Sequence, residues 1–362
     1  MMQSMTSTIR EMRVRTVCVE MQSPHKTASG VVSESPLVLT DLITDEGIVG
    51  HSIVFTYTRA ALKPTADFVS NLRDLVLGKP VAPRTLSHEL ANRFRLLGTQ
   101  GLVGMALSAI DMALWDALSK SCGKSLVYLL GGTDKSIPVY GGVGFDGVSG
   151  SAVTAESFAK QGLKGVKAKI GYPTVEEDIE VISAMRSAIG PDLSIMVDYN
   201  QCLLPQEAIN RIRRLESESL TWVEEPTLAH DYKGHALIAA AVNTPIQCGE
   251  NWWGTMDMQH AIDAQASDYM MPDIMKIGGV TGWLRAAEIA DAKGILLSSH
   301  LWPEISAQVL ALTPTAHWLE YADWWNPILK EPLRIEKGMA LTDGVLGTGI
   351  TWNKTAIEKY MV

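Results

Sequence analysis

From Ile137 onward, short apolar stretches alternate with longer amphipathic stretches at intervals of about 25 residues. Eight of the apolar stretches have the length and near-continuous hydrophobicity of buried parallel strands. They cover residues 139–141, 165–170, 194–198, 221–224, 246–249, 269–272, 295–298 and 316–320. Strands that alternate with helices form parallel sheets, and eight in succession can close on themselves. This region is therefore predicted to fold as an α/β barrel ringed by helices.

The residues before the repeat have a different pattern. Alternating residues at 12–21, and two further strand-like runs at 36–43 and 50–57, predict an antiparallel sheet, and helical periodicity follows at 102–120. We expect an N-terminal α+β capping domain over residues 1–133 and a (β/α)7β TIM-like barrel over 134–331. The last segment, 332–362, contains no further strand–helix unit and is expected to pack back on the capping domain.

Composition narrows the class of protein. A net charge of −9 and the lack of any basic run argue against nucleic-acid binding. We find neither the apolar core of a signal peptide nor an apolar span of 18 residues, so we expect no membrane partner. The scattered cysteines form no CxxC pair, which favours free thiols in a reducing, cytoplasmic compartment; they are Cys18, Cys122, Cys202 and Cys248.

Three predicted barrel strands in a row end in a carboxylate. Asp198, Glu224 and Glu250 are spaced 26 residues apart, one repeat each. Side chains at strand C-termini point into the barrel mouth, so the three should meet there. Carboxylates cannot share a site unless a cation offsets their repulsion, and oxygen ligands favour Mg²⁺ first and Mn²⁺ second. The alternative, three solvated carboxylates on the rim, does not account for the matched spacing.

Other ionisable residues end the remaining strands. Lys167 and Lys169 lie two apart and should point the same way, where each would lower the pKa of the other and provide a neutral base. Asp273 and His300 end neighbouring strands, where the carboxylate can fix the imidazole tautomer. Glu320 ends the eighth strand; among apolar groups it would stay protonated and donate a hydrogen bond, whereas a salt-bridged rim residue is the alternative.

These groups together suit one kind of reaction. Removing a proton from the carbon next to a carboxylate creates an enediolate, whose charge must be neutralised by a preorganised site. Mg²⁺, Lys167 and Glu320 would supply that neutralisation. Lys169 on one face and His300 on the other would allow the configuration at the carbon to be inverted.

Several stretches resemble the mandelate racemase branch of the enolase superfamily, over nearly the whole chain. They are Lys167-Ala-Lys169-Ile-Gly-Tyr-Pro, Val197-Asp198-Tyr-Asn200-Gln, Glu224-Glu-Pro-Thr-Leu with His230-Asp-Tyr, Gly249-Glu250-Asn-Trp, Met271-Pro-Asp273, Lys276-Ile-Gly-Gly-Val-Thr-Gly-Trp283, Ser298-Ser-His300-Leu and Thr313-Pro-Thr-Ala-His-Trp-Leu-Glu320.

The resemblance implies a set of roles. The metal ligands would be Asp198, Glu224 and Glu250, and the two bases would be Lys169 and His300, the latter paired with Asp273. Glu320 would be the electrophile, and Lys167 and Asn200 would lie near the substrate carboxylate. The resemblance further implies a small carboxylate substrate, substrate contacts from His25, Val32 and Tyr57, and a homo-oligomer, either a dimer or an octamer built from dimers.

Departures from the branch concentrate where the substrate's side chain would lie. Gly142 stands where the branch has a serine, and Ala322 stands where it has a leucine. The flap expected at 24–32 is apolar in the branch, but here it includes His25 and Ser29. These departures favour a substrate whose side chain is somewhat more polar than the phenyl group of mandelate.

Three functions remain open from the sequence. The first is an isomerase that racemises mandelate or a related 2-hydroxy acid. The second is an acid-sugar dehydratase, which shares the enolisation step and then expels a 3-hydroxyl group. The third, a catalytically silent metal-binding protein, predicts the loss of some of the nine site residues, and all nine are present.

Overall fold

The computed structural model describes residues 7–27 and 30–362, so Ser29 and the first six residues lie outside the described part of the chain. An antiparallel sheet in the order β1–β2–β3 opens the chain, with strands Ile9–Thr27 (β1), Gly30–Thr44 (β2) and Val49–Phe55 (β3). Helices follow at Arg59–Asn71 (α1), Arg73–Val76 (α2), Pro83–Arg93 (α3), Gly101–Ser121 (α4) and Leu126–Leu129 (α5).

The repeat region forms the predicted closed barrel. Its parallel strands are Ile137–Val143 (β4), Gly165–Lys169 (β5), Ser194–Asp198 (β6), Val223–Glu224 (β7), Ile246–Cys248 (β8), Tyr269–Met270 (β9), Leu297–Ser299 (β10) and Ala316–Tyr321 (β11). The helices between them are Gly147–Lys160 (α6), Val175–Ile189 (α7), Pro205–Leu215 (α8), Tyr232–Ala241 (α9), Gly254–Ala264 (α10), Gly279–Lys293 (α11) and Pro303–Leu312 (α12). Pairing of β11 with β4 closes the ring, which confirms the predicted fold class.

Helix α4 joins the N-terminal sheet to the barrel. At Gly50 on β3, an added Cβ would lie 2.0 Å from the carbonyl oxygen of Ala113, so only glycine allows the sheet to approach the helix this closely. On its other side, Trp115 Nε1 donates to Thr281 Oγ1 on α11 at 2.9 Å. The prediction that no 18-residue apolar span exists was wrong, because α4 is long and apolar enough to cross a membrane. It is nevertheless 78% buried within the protein, as core helices are.

The hairpin of β1 and β2 extends over the barrel mouth. Its tip pairs His25 with Val32, well beyond the strand predicted at residues 12–21. The backbone N–H of Phe145, in the loop after β4, donates to the carbonyl of Lys26 at 2.9 Å. The imidazole of His25 lies 5.3 Å from the ring of Trp324, in the loop after β11. The hairpin therefore contacts barrel loops on both sides of the closure.

The C-terminal segment divides between the two regions. A short hairpin, Ile335–Glu336 (β12) and Met339–Ala340 (β13), pairs antiparallel with β4 of the barrel, which differs from the expectation that the whole segment returns to the capping domain. Beyond it, Trp352 Nε1 donates to Asp41 on β2 at 2.6 Å, and helix Lys354–Tyr360 (α13) lies next to β1.

Candidate active site

The three predicted metal ligands meet at the ends of neighbouring strands. In the parallel register, Asp198 of β6 pairs with Glu224 of β7. Glu250 follows β8 through Gly249, whose φ of 142° and whose contact with the Met271 backbone leave no room for a side chain. One oxygen from each of the three carboxylates lies within 4.8 Å of the other two. The barrel geometry thus brings together what the 26-residue spacing predicted.

Neighbouring donors hold each of these carboxylates in place. Asn200 donates to Asp198 Oδ1 from its backbone N–H at 2.6 Å and to Oδ2 from its side chain at 3.1 Å. Lys167 Nζ donates to Glu224 Oε1 at 2.6 Å, and Asn251 Nδ2 donates to Glu250 Oε1 at 3.2 Å. Asn200 has a φ of 44°, an uncommon conformation that clusters at functional sites.

The donor set fits a hard divalent cation. Burial raises the pKa of Glu224 well above its usual range; Lys167 opposes that rise, while Asp198 and Glu250 add to it. Glu250 Oε2 is buried and accepts no hydrogen bond among the described residues, and its ion-pair neighbour is His300 Nε2 at 3.2 Å. Mg²⁺ prefers oxygen ligands, and its charge would offset the repulsion between these three buried carboxylates.

The two lysines of β5 lie inside the barrel mouth, but their expected electrostatics are not found. Burial and the neighbouring Lys167 lower the pKa of Lys169, but the carboxylates of Asp198, Glu250 and Glu224 together outweigh them, so this pKa is raised. For Lys167, the carboxylates of Glu224 and Glu320 likewise outweigh burial and raise the pKa well above its usual range. Lys167 does lower the pKa of Lys169, as predicted, but the expected net lowering was wrong, because it left out the carboxylates that face the two lysines.

His300 lies across the mouth and is oriented by Asp273. Its Nδ1 lies 2.7 Å from Asp273 Oδ2, while Asp273 Oδ1 accepts from the backbone N–H of Met275 at 2.8 Å. That contact places a proton on Nδ1 and turns Nε2 toward the cavity, 3.2 Å from Glu250 Oε2. Burial lowers the pKa of His300, but the charges of Glu250 and Glu320 outweigh it, so the pKa is raised.

Glu320 is held as a carboxylate rather than as the protonated donor that we considered. Its Oε1 lies 2.8 Å from Lys167 Nζ, and its Oε2 accepts from the backbone N–H of Leu301 at 3.1 Å. Burial would raise the pKa of Glu320, but the charges of Lys167 and His300 outweigh it and lower the pKa to about 2. In this arrangement the ammonium of Lys167 is the donor in the pair.

The predicted catalytic residues border two cavities. A cavity of about 610 Å³ brings His25, Val32 and Tyr57 together with Lys169, Asn200 and His300. Its apolar wall is completed by Val31, Phe55, Met105, Trp253, Leu301 and Trp324. A second cavity, of about 550 Å³, adjoins Gly142, Lys167 and Glu320, and His25 borders both. Burial, followed by the charge of Lys169, lowers the pKa of His25 to about 4, so its imidazole is neutral.

Lys276 is a cavity residue that the strand-end analysis missed. Its ammonium donates to Asn251 Oδ1 at 2.8 Å and lies 4.8 Å above the ring of Tyr57. Lys276 lies in the loop after β9 rather than at a strand end, so barrel periodicity gives no signal for it. Its place within the stretch that resembles the racemase branch is the one signal in the sequence.

Comparison with known proteins agrees with this geometry. Residues 9–131 match the model for the mandelate racemase / muconate lactonizing enzyme N-terminal domain, and residues 151–356 match the enolase C-terminal domain-like model. An enolase from Bradyrhizobium, solved with magnesium and mandelic acid, is 44% identical with a TM-score of 0.95, and each chain covers 100% of the other.

Two curated relatives are each 31% identical. One is the L-talarate/galactarate dehydratase of Salmonella typhimurium, over 90% of this chain and 82% of the relative. The other is the D-galactarolactone cycloisomerase of Agrobacterium fabrum, over 96% and 97%. Mg²⁺ is accordingly the cofactor, the acidic triad is placed to hold it, and this chain is an enzyme of the mandelate racemase/muconate lactonizing enzyme family in the enolase superfamily.

Proposed function

We propose that the protein racemises a 2-hydroxy acid, mandelate or a close analogue, by Mg²⁺-dependent proton transfer at the α-carbon. The observation that carries the proposal is the placement of Lys169 and His300. Strands β5 and β10 are separated by β11 and β4 on one side of the ring, and by β6, β7, β8 and β9 on the other. Both side chains border the same cavity, so a substrate between them would present opposite faces to them.

Each of these residues has a separate role in the proposed proton transfer. When one base takes the α-proton, the electrons of the C–H bond pass into the carboxyl group, and the other base then returns a proton to the opposite face. Lys167 donates hydrogen bonds toward the growing negative charge. Mg²⁺, when held by the triad, supplies positive charge that offsets this growth and the charge of Asp198 beside Lys169. The Asp273 contact keeps His300 Nε2 aimed at the substrate.

The wall of the main cavity supports an apolar or aromatic substituent. Phe55, Tyr57 and Trp324 surround it together with valine and leucine side chains. Such a wall holds a phenyl group by burial of apolar area, whereas a chain of hydroxyl groups would lose hydrogen bonds to water there. The Bradyrhizobium enolase, solved with magnesium and mandelic acid, also supports an aromatic substituent.

The test is α-proton exchange in D₂O with Mg²⁺ and each enantiomer of mandelate. We expect the unchanged protein to incorporate deuterium and racemise both. Lys169→Ala should stop exchange from one enantiomer and His300→Asn from the other, because each removes the base on one face. A variant that stops exchange from both enantiomers equally would contradict the two-base assignment, and Lys169→Ala with full turnover would end it.

A second candidate is dehydration of an acid sugar, which the dehydratase among the curated relatives favours. The same enolisation would be followed by loss of the 3-hydroxyl group, with the proton for the departing water supplied by His300. A panel of acid sugars separates the two: keto-acid product with loss of one water supports the dehydratase. Deuterium at the α-carbon without loss of water supports the racemase.

We also propose a cytoplasmic homo-oligomer. All four cysteines are free, which suits a reducing compartment. Light scattering of the purified protein would give its oligomeric state.

A further inference from the structure

One hydrogen bond to the metal ligands comes from inside the barrel rather than from its mouth. Trp222 immediately precedes β7 and lies two residues before Glu224, so both side chains point to the barrel interior. Its indole Nε1–H donates to Glu224 Oε2 at 3.1 Å, and the Trp222 side chain is fully buried. A buried indole N–H needs an acceptor, and here that acceptor is a carboxylate of the magnesium site.

The indole is held by a small aromatic layer beneath the site. Trp222, Tyr140 and Met196 form a buried cluster of their own, apart from the main core. The rings of Tyr140 and Trp222 meet edge to face, with centroids 5.6 Å apart and planes at 75°. The ring of His317 lies 5.8 Å away on another side. Packing of this kind fixes the direction of the N–H bond.

Trp222 differs from the groups that orient the other two ligands. Asn200 and Asn251, which hold Asp198 and Glu250, both border the main cavity and can also meet a substrate. Among the residues that border either described cavity, Trp222 is absent. Its effect on the site is therefore confined to Glu224, and a change at Trp222 tests orientation of a metal ligand without a lost substrate contact.

We propose that Trp222 is a positioning residue that holds Glu224 in its magnesium-binding orientation. Lys167 occupies Oε1 at 2.6 Å and the indole occupies Oε2, so the carboxylate is gripped on both oxygens. Without the indole N–H, Oε2 becomes a buried acceptor lacking a donor, and the carboxylate is free to turn toward Lys167. Loss of a hydrogen bond to a metal ligand typically lowers metal affinity by about 10- to 100-fold.

The test is Mg²⁺ binding by isothermal titration calorimetry, with no substrate present. Trp222→Phe keeps an aromatic ring but removes the N–H. Trp283→Phe is the matched control, because Trp283 is also fully buried and donates from Nε1 at 3.1 Å, but to Thr313 rather than to a ligand. We expect the dissociation constant to rise about 10-fold or more in W222F and to stay unchanged in W283F.

Equal Mg²⁺ affinity in W222F and the unchanged protein would overturn the proposal, and so would an equal loss in both variants. If W222F does not fold, protein labelled with ¹⁵N-tryptophan provides the measurement. Saturation with Mg²⁺ should shift a slowly exchanging indole N–H resonance, and no shift in any such resonance would overturn the proposal. Neither readout depends on which acid is the substrate, so failure of the proposed racemisation would leave this test intact.

Discussion

Asp111 is a buried carboxyl at the joint between the capping domain and the barrel, and it makes stability depend on pH. It lies on α4, accepts from the backbone N–H of Thr281 on α11 at 2.9 Å, and also accepts from the Thr281 hydroxyl. Among the described residues no cation is a main contributor to its pKa. Burial raises the pKa of Asp111 to about 7, although the Thr281 hydrogen bonds act against that rise.

The sign and size of the effect follow from linkage. The ordinary pKa of 3.8 applies when the chain unfolds, so between pH 4 and pH 7 the folded state holds a proton that the unfolded state has lost. Stability from this group is full below about pH 4 and is lost as the pH rises through about 7. At about 1.4 kcal/mol for each pKa unit, roughly 2.5 kcal/mol is lost between pH 5 and pH 8.

Asp111→Asn removes the titration and keeps the shape of the side chain. We expect the free energy of unfolding of D111N, relative to the unchanged protein, to rise by roughly 2.5 kcal/mol from pH 5 to pH 8. Urea denaturation at several pH values measures it. Asp116→Asn is the control: Asp116 is buried on the same helix but paired with Lys120, so its loss should destabilise at every pH. Parallel pH curves for D111N and the unchanged protein would refute the reasoning.

Two further perturbations test the fold and the metal site. Gly50→Ala should destabilise the protein by about 3 kcal/mol or more, as measured by urea denaturation. The added Cβ would lie 2.0 Å from the carbonyl oxygen of Ala113, on the helix that links the two regions. A loss under about 1 kcal/mol would contradict this reasoning, because it would mean that helix α4 moves aside at little cost. Asp198→Asn should abolish the stabilisation of the protein by Mg²⁺, which amounts to about 2.7 kcal/mol when the Mg²⁺ concentration is 100 times the dissociation constant. If Mg²⁺ raises the melting temperature of the variant as much as that of the unchanged protein, Asp198 is not a ligand.

The strand ends could be predicted because barrel geometry is repetitive. Once eight parallel strands close, every strand C-terminus faces the same mouth, so the positions of Asp198, Glu224 and Glu250 along the chain determine their meeting in space. The same logic places Lys169 and His300. Side chains that reach the cavity from loops, such as Lys276, carry no periodic signal, because the path of a loop depends on contacts that sequence spacing does not encode.

The hairpin over the mouth shows a second limit of prediction from the sequence. Strand β1 continues to Thr27, six residues past the predicted strand, and its register shifts between Glu20 and His25. That extension is polar and lies away from the core of the capping domain, so alternation of apolar residues gives no indication of it. Contacts between residues far apart in the sequence, Phe145 with Lys26 and His25 with Trp324, hold the extension over the barrel.

Protonation was the least predictable property, and the two lysines of β5 show why. Two residue types at a known spacing predict that Lys167 and Lys169 lie side by side, but the pKa of each depends on every charge within reach. Asp198 is the ion-pair partner of Lys169 and also one of the three carboxylates placed to hold a metal ion, so the same carboxylate acts on both the proposed base and the proposed metal site. The pKa of Lys169 therefore cannot be predicted from the sequence of its own strand alone. That pKa depends on every charge at the barrel mouth, including the carboxylates of Asp198, Glu224 and Glu250, which come from three different strands and the loops after them.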